Sequence, residues 1–299
     1  MATDLIDASV DRYATALDDR GSFVGRLSPV SVVAGLVLLL HVVVAVTGPL
    51  WAPYSPYQLL VGDPSSAPSL AHWFGTDSYG RDVFSRVVAG ERSVLGLSVA
   101  GTGLALILGT IVGMITGYVR GWLDELLMRV VDVLNSIPPL IIALLIISAL
   151  GTNSLLLVLT VGLLYAPRVT RVIRAATMKI ATEDFVTAAR ARGESVFSIA
   201  RRELLPNVIG VVLVELSIRT GYTITFIGSL TLLGFGASPP DPAWGLMIGE
   251  GRANILTAPW EALAPAIAMA TLVVAINLFT DGLARVLLGQ GEVRGRAPR

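Results

Sequence analysis

Of the chain's 299 residues, 54% are hydrophobic and 15% charged, and mean hydropathy is +0.72. Soluble domains carry about 25% charged residues, so this composition excludes a water-soluble globular fold and reads as an all-α integral membrane protein; at about 20 apolar residues per crossing the length allows one helical bundle and no large soluble domain. The formal net charge is zero and cysteine is absent, which excludes disulfides, thiolate metal centres and cysteine nucleophiles.

Residues 1–30 form a polar amino-terminal segment containing Arg12, Arg20 and Arg26. The first apolar run, Ser31 to Gly48, reads as an uncleaved first helix over 31–50 rather than a signal peptide, because a long leader precedes it and further spans follow. His41 within it reads as a hydrogen-bonded helix residue, since neither His41 nor His72 has neighbours at metal-ligand spacing. Residues 51–92 are too rich in Pro, Asp, Ser and Gly for lipid and read as an aqueous loop. In that loop Asp77, Arg81 and Asp82 either pair with one another or face a partner. A second span runs from Val94 to Tyr118. Gly109, Gly113, Gly117 and Gly121 recur every four residues and form a smooth stripe for close helix packing, within the chain or against a second membrane subunit.

The third span, Val133 to Leu150, carries Pro138 and Pro139 near its start, which predicts a kink or a broken first turn. The fourth covers Ser154 to Pro167, the fifth Val208 to Leu233 and the sixth Leu263 to Leu288, followed by a tail over 290–299. Six spans put both termini on one side. With those termini inward, seventeen of the twenty-two Lys and Arg residues fall on inner segments, so the positive-inside rule places both termini in the cytoplasm.

Glu215 and Arg219 stand four residues apart in the fifth span, in the favoured order for a helical ion pair, either structural or lining a path or gate. Asn135, Thr220, Thr223 and Ser229 are polar groups that line a path or bond to neighbouring helices. Trp73, Trp244 and Trp260 read as interfacial anchors, with Trp244 also a candidate outer contact.

Between the fourth and fifth spans lies a charged stretch over 182–207, TEDFVTAARARGESVFSIARRELLPN, that lipid does not tolerate. Thr182 is placed to cap a helix, with Glu183 and Asp184 in its first turn and Phe185, Ala188, Ala189 and Arg192 at helical spacing. Gly193 ends that helix, Ser195 caps a second whose broken apolar face is Val196, Ile199 and Leu204, and Pro206 closes it. The expected product is a helix, a glycine elbow and a helix, suited to a groove on another protein or to an anionic membrane surface.

The pattern Ala188, Ala189, Gly193, Leu205, Pro206 resembles the coupling-loop signature of ABC importer permease subunits. Thr187 stands where that signature has Glu, and Glu203 where it has an apolar residue or His. FGTDSYGRDVFSR (74–86), LTLLGFGASPPDPAWGLMIGEGR (230–252) and APWEALAPAIAMATLVVAINLFTDGL (258–283) resemble the C-type subunit of dipeptide, oligopeptide and nickel importers. The resemblance implies a type I ABC importer permease fold of six spans, with a permease core over 93–289. It implies that Thr187, Ala188, Ala189, Gly193, Glu194, Ser195, Leu205 and Pro206 touch an ATPase, and that Glu215, Arg219, Asn135 and Thr223 are candidates for the path or gate. Asp77, Arg81, Asp82 and Trp244 become candidates for extracytoplasmic contact.

The implied partners are a homologous B-type permease subunit, one or two cytoplasmic ABC ATPases, an extracytoplasmic substrate-binding protein and membrane lipid, with no nucleic acid. The implied location is the bacterial inner membrane. No glycine-rich loop followed by Lys-Ser or Lys-Thr occurs, and Lys179 is the only lysine, so the chain is not expected to be the ATPase; no cofactor is expected in it, ATP and Mg belonging to partners. Di- or oligopeptides are the expected solutes, with nickel or another small solute as the alternative. A secondary transporter needs coupling acids in the spans and repeated halves, and an intramembrane hydrolase needs a nucleophile with a base; the sequence offers little for either.

Overall fold

The computed structural model of the chain describes residues 27–287; most of the amino-terminal segment and the whole carboxyl-terminal tail lie outside them. Among the described residues the regular elements are helical, apart from one bridge between Thr76 and Asp82. Helix α1 spans Pro29–Trp51 and starts at Ser28, whose side chain accepts from the Ser31 amide, with proline in the first turn where no donor is needed. Helix α2, Val83–Val119, starts at Asp82, whose carboxylate accepts from the Ser85 amide.

The start of α2 corrects the sequence reading, which left 83–92 in a loop. Arg86, Glu91 and Arg92 are helical. Arg86 is neutralised by Asp77 and Glu250, and Glu91 pairs with His41 of α1 at 2.8 Å. Charge that reads as incompatible with a buried helix is tolerated because each buried member has a partner.

The third span is also revised. Helix α3, Trp122–Ser136, and helix α4, Pro139–Leu150, meet at 85°. Ile137 and Pro138 each precede a proline, and both adopt extended backbone, with ψ of 131° and 125°. Proline pushes its predecessor out of the helical region, so two in succession break the helix outright. Twelve residues rise only about 18 Å, short of the roughly 30 Å hydrocarbon core. Five helical stretches among the described residues are long and apolar enough to cross a membrane, and a sixth exists if α3 and α4 count as one bent span.

Helix α5, Ser154–Ile180, runs well past Pro167, where the sequence reading ended the fourth span. Its extension carries Val169, Thr170, Ile173 and Thr177, all buried, while Arg171 and Arg174 turn outward to Asp132 and Asp124 of α3. The buried row lies on the glycine stripe of α2. A Cβ at Gly113 would stand 2.8 Å from the Thr170 carbonyl oxygen and 2.9 Å from Ile173 Cβ, and one at Gly117 2.7 Å from Thr177 Cβ. The stripe therefore serves packing within the chain. Gly121 is not part of it: it lies beyond the helix end at φ +76° with open space where a Cβ would go.

The charged stretch forms α6, Asp184–Ala191, and α7, Val196–Ile199. A π turn, Ala200–Leu204, then leads without a loop into α8, Leu205–Leu232. Helix α9, Trp244–Gly251, and α10, Trp260–Leu287, complete the bundle. The largest apolar cluster joins Val83, Val87 and Val94 of α2, Ile224 of α8, Trp244 and Met247 of α9, and Leu272 and Ile276 of α10.

Candidate functional site

Three polar assemblies interrupt the apolar bundle. At one end, α6 and α7 fold on each other through Val186, Ala189, Ile199 and Leu204, which are buried together, with Tyr118 and Ile180 packed at the edge. Ala189 is 0% exposed, so it forms the elbow's interior, whereas Thr187, Ala188 and Gly193 face outward. Phe197, which the sequence reading did not single out, is 76% exposed, and Val196 beside it is exposed although the sequence reading put it on the apolar face. Phe197 stands open at the surface of the elbow, and Val196 edges a recess shared with Tyr118 and Arg190. Gly193 sits at φ +75° with nothing within 4 Å of a would-be Cβ, so glycine is required there by backbone conformation and not by crowding.

Two local expectations change. Thr182 donates to the Lys179 carbonyl at 2.7 Å, and Glu183 occupies the cap position of α6 without a side-chain cap bond. Pro206 does not close α7; it lies in the first turn of α8, where its missing donor is harmless. The π turn precedes that proline, and Asn207 Nδ2 donates to the Glu203 carbonyl at 2.6 Å, taking up a backbone acceptor near the junction. Ser195 caps α7 through the Ser198 amide at 3.2 Å. Glu194 accepts from Arg192 and Ser198, and these bonds hold its carboxyl below the usual range, so it is ionised at neutral pH.

At the far end of α2 is a buried charge lock. Asp77 Oδ2 accepts from Arg81 Nε at 2.7 Å and Arg86 Nη1 at 2.6 Å, while Glu250 Oε2 of α9 accepts from Arg81 Nη2 at 2.9 Å and Arg86 Nη1 at 3.1 Å. Asp82 pairs with His72 at 2.9 Å and caps α2. Trp244 is 0% exposed, its indole donating to the Val87 carbonyl at 2.9 Å. Asp77, Arg81, Asp82 and Trp244 thus face the interior, which moves Trp244 out of an interfacial role; the surface beside them is formed by Trp73 and Tyr79. Trp260 is partly buried and donates to the Thr76 carbonyl at 3.1 Å. Glu250, which closes the lock, was not visible as a site residue because it lies 164 positions from Arg86.

Mid-bundle, Arg219 Nε donates to Glu215 Oε2 at 2.8 Å, with both side chains largely buried. Thr223 is buried and bonds Thr102 of α2 at 3.0 Å, Thr220 and Ser229 return bonds to their own helix, and the Nδ2 of Asn135 has no partner. Beside the pair stand Tyr165 and Arg168 of α5, whose guanidinium lies 5.5 Å from the Tyr165 ring centroid. Glu91, bonded to His41 whose Nε2 lies 3.2 Å from Thr271 Oγ1, is a second acid inside the helices that the loop assignment had hidden.

Residues 109–288 match the family profile described as binding-protein-dependent transport system inner membrane component. The chain belongs to this family. Relatives named glutathione transport system permease protein GsiD, from Pectobacterium atrosepticum and Escherichia coli O157:H7, are 34% identical over 255 residues and 36% over 259; these alignments cover 85% and 86% of both chains. A solved structure of the MetNI methionine ABC transporter is 19% identical, with a TM-score of 0.54, over 68% of this chain and 97% of that one. The fold is that of a type I ABC importer permease. The permease is a transport component and not a catalytic subunit, and its family implies an ATPase and a substrate-binding protein as partners.

Proposed function

We propose that the permease is one of two homologous, non-identical membrane subunits of an importer for di- or oligopeptides, in which α6 and α7 rest on a cytoplasmic ATPase. The observation that carries this reading is the small compact element that ends one side of the bundle: an interlocked interior of Val186, Ala189, Ile199 and Leu204, an outward row of Thr187, Ala188 and Gly193, and an exposed Phe197. Glu194 and Ser195 stiffen the elbow, and Leu205 and Pro206 begin the helix behind it. In this reading both termini are cytoplasmic, as the distribution of arginine favours, and ATP and Mg are bound by the partners. The relatives' name supports a peptide-type solute, glutathione being a tripeptide.

ATP-driven closure of the ATPases displaces α6 and α7. Because α7 continues through the π turn into α8 without a loop, the displacement reaches the helix that carries Glu215, Arg219 and Thr223; Asn135 of α3 is a further path candidate. The test is the complex reconstituted in proteoliposomes with its ATPases and binding protein. Replacing Gly193 by Val imposes about 1–2 kcal/mol of left-handed backbone strain, with open space around its Cβ. Membrane insertion is expected to persist while tripeptide uptake falls relative to ATP hydrolysis. Uptake and hydrolysis in their normal ratio would contradict the proposal.

A further inference from the structure

We infer that Arg168 and Arg219, together with the phenols of Tyr165 and Tyr222, form a transient station for the carboxylate of a solute crossing the membrane. This rests on the import reading above and names the chemical class that the path accepts.

The four side chains share one layer. Arg168 lies twelve residues from Ile180 and Arg219 fourteen from Leu205, and both helix ends open onto the same charged segment. At about 1.5 Å per residue these positions lie roughly 18 and 21 Å along the helices from those ends; the sequence reading counts Arg168 on an inner segment, and the extension of α5 past Pro167 places it within the helix instead. Tyr165 and Tyr222 stand one turn deeper on the same helices, and Tyr165 is within electrostatic reach of Arg168, Arg219 and Tyr222. The Tyr165 ring is held edge-on by Phe226, with centroids 5.7 Å apart, and the Arg168 guanidinium lies beside it.

The charge of this layer does not balance. Glu215 neutralises Arg219 at 2.8 Å, whereas Arg168 has no carboxylate within ion-pair distance among the described residues. An uncompensated guanidinium within a spanning helix does not face lipid. The layer opens to the surface of the chain at Tyr222, which is 59% exposed, so it faces water or another protein. A guanidinium supplies the planar donor fork that matches a carboxylate, and the phenols supply neutral donors beside it. One unpaired cation attracts an anion, while the Glu215 carboxylate nearby keeps the site weak enough for release. An acid of the second membrane subunit paired to Arg168 is the competing occupant.

The chain contains no cysteine, so Thr225→Cys, at an exposed position one turn from Tyr222, introduces its sole thiol. In the full complex, an anionic sulfonate methanethiosulfonate is expected to modify this thiol faster than the cationic trimethylammonium analogue, and adding Arg168→Gln is expected to lower that preference about tenfold. Reaction with neither reagent, a cationic preference, or a preference indifferent to Arg168→Gln would overturn the inference. In a second arm, Arg168→Gln is expected to reduce uptake of trialanine about tenfold and uptake of trialanine amide much less, with Arg168→Lys intermediate. Equal loss for both peptides, or loss of subunit assembly, would assign Arg168 a structural role instead. If the unmodified complex imports neither peptide, the peptide reading falls, and the thiol measurement still decides whether the anion station exists.

Discussion

At the level of single residues, the buried polar groups divide by what their loss exposes. In the lock of Asp77, Arg81, Arg86 and Glu250, two acids and two arginines neutralise one another out of water. Removing one member leaves a charge buried and uncompensated. Asp77→Ala is therefore expected to destabilise the purified permease by about 3–5 kcal/mol, read by thermal unfolding in detergent; a change below about 1 kcal/mol would mean that water already reaches the cluster. For Arg219, substitution by Leu breaks the only ion pair within α8 among the described residues. Assembly with the second permease subunit, judged by co-purification, is expected to survive while uptake falls. Loss of assembly would make the pair structural. Ala189 teaches a different lesson: its burial means that Ala189→Arg disrupts the elbow itself, so outward-facing Ala188 is the position from which to probe contact with a partner.

At the level of elements, the decisive contact is α2 against α5. Gly113→Leu places a branched side chain where the Thr170 carbonyl oxygen and Ile173 stand within 3 Å of a Cβ, and overpacking of this kind costs about 1–3 kcal/mol or more. The expected outcome is a lower melting temperature and faster proteolysis of the segment over 182–204, which hangs from the end of α5; Gly121→Leu, in open space, should leave the α2–α5 contact intact. Much of this layer was legible in the sequence. Four-residue glycine spacing identified the stripe, and Gly193 with Ser195 identified the elbow and second cap. Other features depended on partners distant in the chain. The early start of α2 requires Glu250 and His41 as partners for Arg86 and Glu91, and no local hydropathy window contains such pairs. The 85° turn between α3 and α4 was only half legible: two prolines announce a break, but they do not say how far the chain will turn. Pro206 was misread because proline both ends and begins helices, and the π turn that joins α7 to α8 has no local signature.

At the level of the whole molecule, the permease has a charge lock at one end, a compact two-helix element at the other, and a polar layer between them. Helix α8 begins at the two-helix element, carries Glu215 and Arg219, and packs through Ile224 into the core reached by α9, while α2 covers the same distance from Arg86 in the lock to Tyr118 against the two-helix element. In the proposed mechanism, movement imposed on α7 is carried through the π turn along α8 towards Glu215 and Arg219. The absence of cysteine permits a direct test. A benzophenone maleimide attached at Ala188→Cys in the assembled complex is expected to cross-link, on illumination, to the ATPase subunit, and the yield should change when ATP is added. Cross-links only to lipid or to the other membrane subunit, with none to the ATPase, would contradict the account.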